Sequence, residues 1–333
     1  MELDFSFIIP VYNRPDEIKE LLESMQLLTG NIPFEVVIVE DGSTVSSEEI
    51  VKQFATKMKV SYYFKENSGP GDSRNYGMKV AKGNYFIILD SDCILPPQYL
   101  TEAQKALKKK YVDCFGGPDA AHASFSNIQK AINYSMTSFL TTGGIRGGKK
   151  AVDKFQPRSF NMGLSKKAFS VTGGFGKIHP GEDPDLTIRL WKNGFETALF
   201  PKAFVYHKRR ISWEKFYLQV KKFGLTRPIL NKWHPETKKI TYWFPSLFVI
   251  GFLASILLWC AGINLFILLY GCYFVAVFIE AAIKNNSIKI ATLSLYAVMI
   301  QFFGYGLAFV KSTFLVTFSN SKPEAIFPKL FFN

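Results

Sequence analysis

The sequence predicts an α/β protein, a mainly parallel sheet flanked by helices, followed by a C-terminal transmembrane or interfacial helical region. Three observations predict it. Apolar, strand-like runs alternate with helix-spaced segments over residues 1–100. Three of these four runs end in polar residues: Tyr12-Asn13, Glu40-Asp41 and Asp90 with Asp92. From Trp243 to Ala282 the only charged side chain is Glu280. Ligands of open α/β sheets bind beyond the carboxyl ends of the strands, so the three polar ends are expected to meet in one crevice.

The elements follow in order. "FSFIIPVYN" is a short apolar strand with a loop behind it. Pro15 suits the first turn of a helix that carries Ile18, Leu21, Leu22 and Met25 on one face. "FEVVIVEDGS" repeats the scheme, with β-branched residues running into acids and a glycine turn, and "VSYYF" is a third strand. "GDSRNYGMKVAKG" reads as a helix with a glycine stop, and "NYFIILDSD" as a strand buried on both faces. Residues 113–210 are less regular. "TTGGIRGGKK" lacks phosphate-loop spacing and reads as a lid or acceptor loop. "SFNMGLSKKAFSVTGGF" gives a short strand, a helix and a glycine stop; "GEDPDLTIRLWKNGFE" gives a loop and a helix with Leu186, Ile188, Leu190 and Trp191 as its apolar positions. "TALFPKAFVYH" adds strand-like material.

The composition shift sets a domain boundary near 235, with an α/β domain over 1–235 and a membrane-anchoring region over 236–333. Trp243–Ala261 and Ile263–Ile283 are each long enough to cross roughly 30 Å of hydrocarbon. A third segment, 290–310, holds Gln301, Gly304 and Gly306 and ends at Lys311, so it is expected either to span or to lie in the interface. The net charge is +13, and Lys and Arg greatly outnumber the two acids, Glu214 and Glu236, between Lys202 and Lys239. A basic cluster beside an apolar block marks the cytoplasmic face and attracts anionic membrane lipid. No zinc-finger spacing or RNA-binding aromatic signature accompanies it, and no nucleic-acid partner is expected. The four cysteines show no CxxC spacing and read as reduced structural thiols. The start "MELDFSFIIPVYNRP" is acidic and unlike a secretory leader, so the α/β part is expected to stay in the cytoplasm.

The acids carry the chemistry. Carboxylates beside a buried strand are costly unless a cation compensates them. Asp90 and Asp92 after such a strand are placed to hold a hard divalent ion, Mg2+ or Mn2+, against phosphate oxygens. Glu182 and Asp183, in a Gly/Pro-bracketed loop before a helix, read either as an N-terminal cap or as the site of a general base.

The ordered series "FIIPVYNRP", "VIVEDGST", "GPGDSRNYGMKVAKGNYFIILDSDCILPP", "FNMGLSKKAFSVTGGF" and "GEDPDLTIRLWKNGFE" strongly resembles the family 2 glycosyltransferases of the GT-A fold, over residues 4–230. The resemblance implies a Rossmann-like GT-A domain and an inverting enzyme of bacterial, inner-membrane type. It would move one sugar from a nucleotide-diphosphate donor, a UDP-sugar in the first instance, to a hydroxyl of a lipid-linked or other saccharide acceptor. It places Pro10, Tyr12 and Asp41 at the donor's base and ribose, Arg74 near the nucleotide, and Asn161 at the donor sugar or acceptor. Asp90 and Asp92 match the metal and donor motif, Asp183 the base, and Glu182 its acidic neighbour. His207 falls where some members supply a third metal ligand; an ordinary interfacial histidine is the other reading. Glu40 stands where relatives often have Asp, and the Q-x-x-R-W signature of processive synthases is absent; Gln219 and Arg227 match it only loosely. A single-sugar transferase is therefore expected rather than a polymer-extruding synthase. The remaining alternatives are a sugar nucleotidyltransferase and a catalytically silent membrane scaffold.

Overall fold

The computed structural model describes residues 2–120, 125–143, 155–208 and 212–332. Most of the expected lid or acceptor loop, 144–150, lies outside the described residues. The chain forms two compact units, Met1–His122 with Lys149–Lys208 and Phe331–Asn333, and Ala123–Gly148 with Arg209–Leu330.

In the first unit the strands are β1 (Phe5–Val11), β2 (Phe34–Asp41), β3 (Val60–Lys65), β4 (Tyr85–Leu89), β5 (Cys93–Ile94), β6 (Cys114–Gly116), β7 (Asp119–Ala120), β8 (Asn161–Ser165), β9 (Thr197–Leu199) and β10 (Val205–His207). They make a seven-stranded sheet of order β3-β2-β1-β4-β8-β6-β9 and a three-stranded sheet of order β5-β10-β7. β3, β2, β1 and β4 run parallel, β8 runs antiparallel to β4 and β6, and β9 is parallel to β6. The chain winds outward from β1 to β3 and then crosses to β4 on β1's other side. That switch point, at the carboxyl ends of β1 and β4, is where such sheets open a ligand crevice.

Strand alternation builds two apolar layers. Phe5, Phe7, Ile9, Val36, Ile38, Tyr85, Ile87 and Leu89 face one layer, with Ile18, Leu21, Leu22 and Met25 of α1 (Pro15–Gln26). That layer also takes Val51 and Phe54 of α2 (Glu48–Phe54), and Tyr99, Leu100, Ala103 and Leu107 from the helix after β5. Ile8, Val37, Val39, Phe86 and Ile88 face the other layer, with Met78 of α3 (Pro70–Val80). The helix after β5 is α4 (Tyr99–Lys109). Gly83 is not the helix stop that the sequence suggested. The α3 cap is extended at Ala81, and a Cβ at Gly83 would stand 2.4 Å from Ser6 Oγ and 2.6 Å from Asp4 O, so glycine is needed there for close approach to β1.

The second unit begins with α5 (Asn127–Thr137) and α6 (Phe139–Thr142). The first unit resumes with α7 (Lys166–Thr172), which ends at Gly173 in the left-handed region, and α8 (Glu182–Lys192). The second unit then continues with α9 (Trp213–Trp233), α10 (Phe244–Cys260), α11 (Leu265–Asn285), α12 (Ile288–Phe318) and α13 (Pro323–Ile326). α9 therefore falls on the helical side of the contact division, although it precedes residue 235. Three stretches, Ile240–Cys260, Leu265–Asn285 and Ile288–Phe318, are long and apolar enough to cross a membrane. The third is one unbroken helix through both glycines and Lys311, and is far more buried than the other two. Its small residues explain this. A Cβ at Gly306 would stand 2.7 Å from Pro245 O, one at Gly304 2.7 Å from Val220, and one at Gly224 2.4 Å from Tyr305 O. Ser246 and Ser312 donate across the same contacts to Gly306 O and Leu225 O, at 2.9 and 2.6 Å. Glu280 is satisfied too: Tyr134 and Ser138 donate to it at 2.6 and 2.5 Å, and Lys284 pairs with it.

Backbone lies in the way at Gly306, so Gly306→Val should lower folded stability by about 1–3 kcal/mol, read as a fall in apparent Tm in detergent. Gly271, with nothing within 4 Å of its Cβ position, is the control, and Gly271→Ala should leave the Tm unchanged or raise it.

Candidate active site

β2 ends in two acids that its pleat sends to opposite layers. Glu40 is fully buried; its carboxylate accepts from Ser47 N at 2.7 Å and Tyr62 OH at 3.3 Å, with Ser43 also donating to it. It fastens the loop that enters α2. Asp41 faces α3. Its Oδ1 accepts from Lys65 Nζ at 2.9 Å and Ser68 N at 3.0 Å, and its Oδ2 from Gly69 N at 3.0 Å. Gly69 has φ +95°, a conformation open to glycine, and it delivers Pro70 as the first residue of α3.

Pro10 is buried in β1 beyond the last rung shared with β4, Ile8 with Ile88, so its missing N–H costs that ladder nothing. Tyr12 is exposed directly after the carboxyl end of β1. Asn13 lies in the left-handed region, and its Oδ1 accepts from Thr44 N at 2.8 Å and Val45 N at 2.9 Å, tying the β1 and β2 loops together.

Two separate cation systems serve the two aspartates after β4. Arg74, buried on α3, donates from NH2 to Asp90 Oδ1 at 2.7 Å and from NH1 to Glu182 Oε1 at 3.2 Å. Its guanidinium lies 5.2 Å from the Phe175 ring centroid, and these carboxylates hold its pKa above the ordinary arginine value despite burial. Asp92 instead meets Arg14 NH1 at 2.9 Å through Oδ2 and His207 Nε2 at 3.1 Å through Oδ1. Antiparallel pairing sets His207 opposite Cys93, and the Phe160 ring stacks on the imidazole at 4.6 Å.

Asp92, Cys93 and His207 bring ligand atoms within 4.8 Å of one another, a candidate metal site. Burial pushes the Cys93 thiol well up, and Sγ donates to Phe160 O at 3.3 Å. The carboxylate and imidazole of this set therefore fit a divalent cation, whereas the protonated thiol does not. Asp90 is outside that cluster.

Glu182 and Asp183 open α8 behind Gly181. Glu182 is buried, which alone would raise its pKa. His179, 2.8 Å from Oε1, and then Arg74 outweigh burial and hold it down at about 2. Asp183 moves the other way, to about 6, through burial first and then the neighbouring Glu182 charge, opposed by Arg74 and Arg158. Its Oδ1 is buried and has no hydrogen-bond partner among the described residues. One carboxylate is thus fixed as an anion while its neighbour is left basic.

Asp90, Arg74 and Glu182 therefore form one chain with Asp183 beside it, and Asp92, His207 and Arg14 form a second cluster. Asn161 joins neither. It is fully buried, accepts from Tyr99 OH at 2.6 Å and donates to Ala203 O at 2.8 Å, so both halves of its amide are spent inside the fold. Arg14, Lys65, His179 and Asn75 were not singled out as site residues. Asn75 clips α3 to the 172–176 turn, with Nδ2 donating to Phe175 O at 2.9 Å and Oδ1 accepting from Phe175 N at 2.8 Å. Arg14 and Lys65 both sit at strand carboxyl ends, the signal that would have found them.

The profile described as glycosyl transferase family 2 matches residues 6–170. The poly(ribitol-phosphate) beta-N-acetylglucosaminyltransferase TarS of Staphylococcus aureus is 35% identical over 116 residues, 33% of this chain and 20% of that protein. The chain spans between 12% and 32% of the length of the curated relatives it matches at this level. The crystal structure of S. aureus TarS 1-349 in complex with UDP-GlcNAc aligns over 93% of this chain and 91% of that one, with TM-score 0.50 and 20% identity. Mannosyltransferase PcManGT from Pyrobaculum calidifontis, in complex with GDP-Man and Mn2+, aligns over 96% and 89%, with TM-score 0.56 and 15% identity. At such identities the likeness is one of fold, a mixed sheet with a parallel core flanked by helices.

Two stability outcomes follow from the charge arrangement. Arg74→Met strands two carboxylates and should cost about 3–5 kcal/mol at neutral pH, measured by denaturant unfolding. For Asp183 the folded pKa of about 6 exceeds the ordinary 3.8, so its contribution to stability is lost as pH rises across that window. The Tm advantage of Asp183→Asn over wild type should therefore grow from pH 4 to pH 6.5 and then level off.

Proposed function

We propose, from the match of residues 6–170 to the glycosyl transferase family 2 profile, that the chain is an inverting glycosyltransferase working at a membrane. It moves one sugar from a nucleotide-diphosphate sugar, in the first instance a UDP-sugar, to a hydroxyl of a lipid-linked saccharide. The observation that carries this reading is Asp183, a carboxylate with a buried, unpartnered oxygen and a pKa of about 6 beside an obligate anion. Such a group is suited to take the proton of an acceptor hydroxyl near neutral pH. As the acceptor oxygen bonds to the anomeric carbon from the face opposite the diphosphate, the bond from that carbon to the diphosphate oxygen breaks and its electron pair leaves with the nucleoside diphosphate.

Glu182 stays ionised, and its charge keeps Asp183 basic, while Arg74 restrains the combined repulsion. Asp41 orders the 65–69 loop with three of its roughly four lone-pair sites and keeps one on Oδ2 for a ring N–H of the base. Tyr12, exposed beside it, offers a face for the base or ribose. Asp92 and His207 would hold Mg2+ or Mn2+, which when bound offsets the charge that builds on a departing diphosphate. Support for membrane work comes from the three apolar helices and the basic run before them, which together would keep the crevice on the cytoplasmic face near lipid-linked acceptors.

A panel of nucleotide-sugars, with Mn2+, Mg2+ or chelator and a lipid-linked saccharide acceptor, tests the reading. Metal-dependent release of nucleoside diphosphate with sugar on the acceptor is expected; pyrophosphate chemistry or silence would count against it. Asp183→Asn should lower kcat/KM by about 10²–10⁴-fold with donor binding intact. Wild-type kcat/KM should fall about tenfold per unit below pH 6 and plateau above it, because the base must be ionised.

A further inference from the structure

After the helical region the chain re-enters the α/β unit with Phe331 and Phe332, and it does so against the loop that carries the acids. Phe331 forms an antiparallel bridge with Ile178, and Phe332 N donates to Lys177 O at 3.1 Å. The Phe332 ring lies 6.0 Å from the His179 ring, and His179 Nδ1 lies 2.8 Å from Glu182 Oε1. The same ring also lies against Gly69, where a Cβ would stand 2.3 Å from Phe332 Cδ2. Gly69 is the residue whose amide meets Asp41. One side chain thus touches both the acidic loop and the loop that Asp41 orders. No assigned role accounts for it.

We propose that Phe332 is a positioning residue: the Phe331–Phe332 segment straps the 177–183 loop in the geometry that sets Glu182 and Asp183, acting through Lys177, Ile178 and His179. The Phe331 bridge, the Phe332 amide and the Phe332 ring all meet that loop, so the strap acts on turnover more than on donor capture. Misplacing a catalytic group by an ångström costs up to about 10²-fold in rate, and an aromatic ring that braces a loop is of that order of consequence. The kinetic consequence rests on the transferase reading above; the structural one does not.

The full-length, detergent-solubilised protein is compared as wild type, Phe332→Ala and Phe332→Tyr. Amide hydrogen exchange over 177–183 should quicken about tenfold in Phe332→Ala and return to the wild-type rate in Phe332→Tyr, with apparent Tm within about 2 °C throughout. Unchanged exchange in that stretch overturns the proposal, as does a general acceleration matched by a fall in Tm. In the transfer assay, kcat should drop about tenfold in Phe332→Ala with donor KM within about twofold, and Phe332→Tyr should restore it. A kcat that is unaffected, or not restored by Tyr, also overturns it. A wild-type protein that turns over no nucleotide-sugar defeats the transferase reading alone, and the exchange experiment still decides the strap.

Discussion

The arrangement of this site depends on one buried guanidinium. Arg74 lies within a layer of apolar side chains, where an unpaired cation would be prohibitive, and it is tolerated because Asp90 and Glu182 converge on its fork. The dependence runs the other way as well. Neither carboxylate has another arginine or lysine within ion-pair distance among the described residues, and two acids from segments far apart in the chain would repel without it. A lysine would not serve equally, because its donors all rotate about one nitrogen, whereas the guanidinium holds NH1 and NH2 apart in a rigid fork, one on each carboxylate. The position of Arg74 is itself secured at both ends of its turn: Gly69 and Asp41 start the helix, and Asn75 and Phe175 fasten the next residue.

Asp183 acquires its character from what that system leaves out. Arg74 spends its direct bonds on Asp90 and Glu182, and His179 bonds Glu182, so Asp183 feels the neighbouring negative charge at close range, relieved by a Ser159 hydrogen bond and by the more distant Arg74 and Arg158 charges. The same division separates Asp90 from Asp92. These two residues are a step apart on the strand end, yet one is bound to Arg74 of α3, which reaches on to the acidic loop, and the other to Arg14 and His207. A three-residue motif is thereby split between two electrostatic neighbourhoods, one suited to holding the acidic loop and one suited to a cation.

The fold class was legible because it rests on local pattern. Ile18, Leu21, Leu22 and Met25 are buried on one helix face as their spacing requires, and β2 runs into Glu40 and Asp41 and β4 into Asp90 as the pattern suggested. The acids themselves were legible as costly groups. Their partners were not, because Arg74 meets Glu182 across 108 positions and nothing local to either residue announces the other. Asn161 was placed at the donor sugar or acceptor by resemblance, whereas its amide bonds Tyr99 and the Ala203 carbonyl, a fact of tertiary packing alone. Residues 125–143 looked irregular because α5 and α6 bury their apolar faces against distant helices: Tyr134 against Phe248 and Val277, and Ile132 against Phe216.

The pleat of β2 has a further consequence. Glu40 and Asp41 are adjacent and chemically close to interchangeable, yet the strand delivers one to the α2 loop and the other to the α3 loop. Parity of position, rather than identity of side chain, is the address. The arrangement therefore carries an information constraint that residue substitution does not probe. A single-residue insertion or deletion within Val36–Val39 would misdeliver both carboxylates at once, while leaving composition and charge almost unchanged. Length, along this strand, is held as tightly as chemistry.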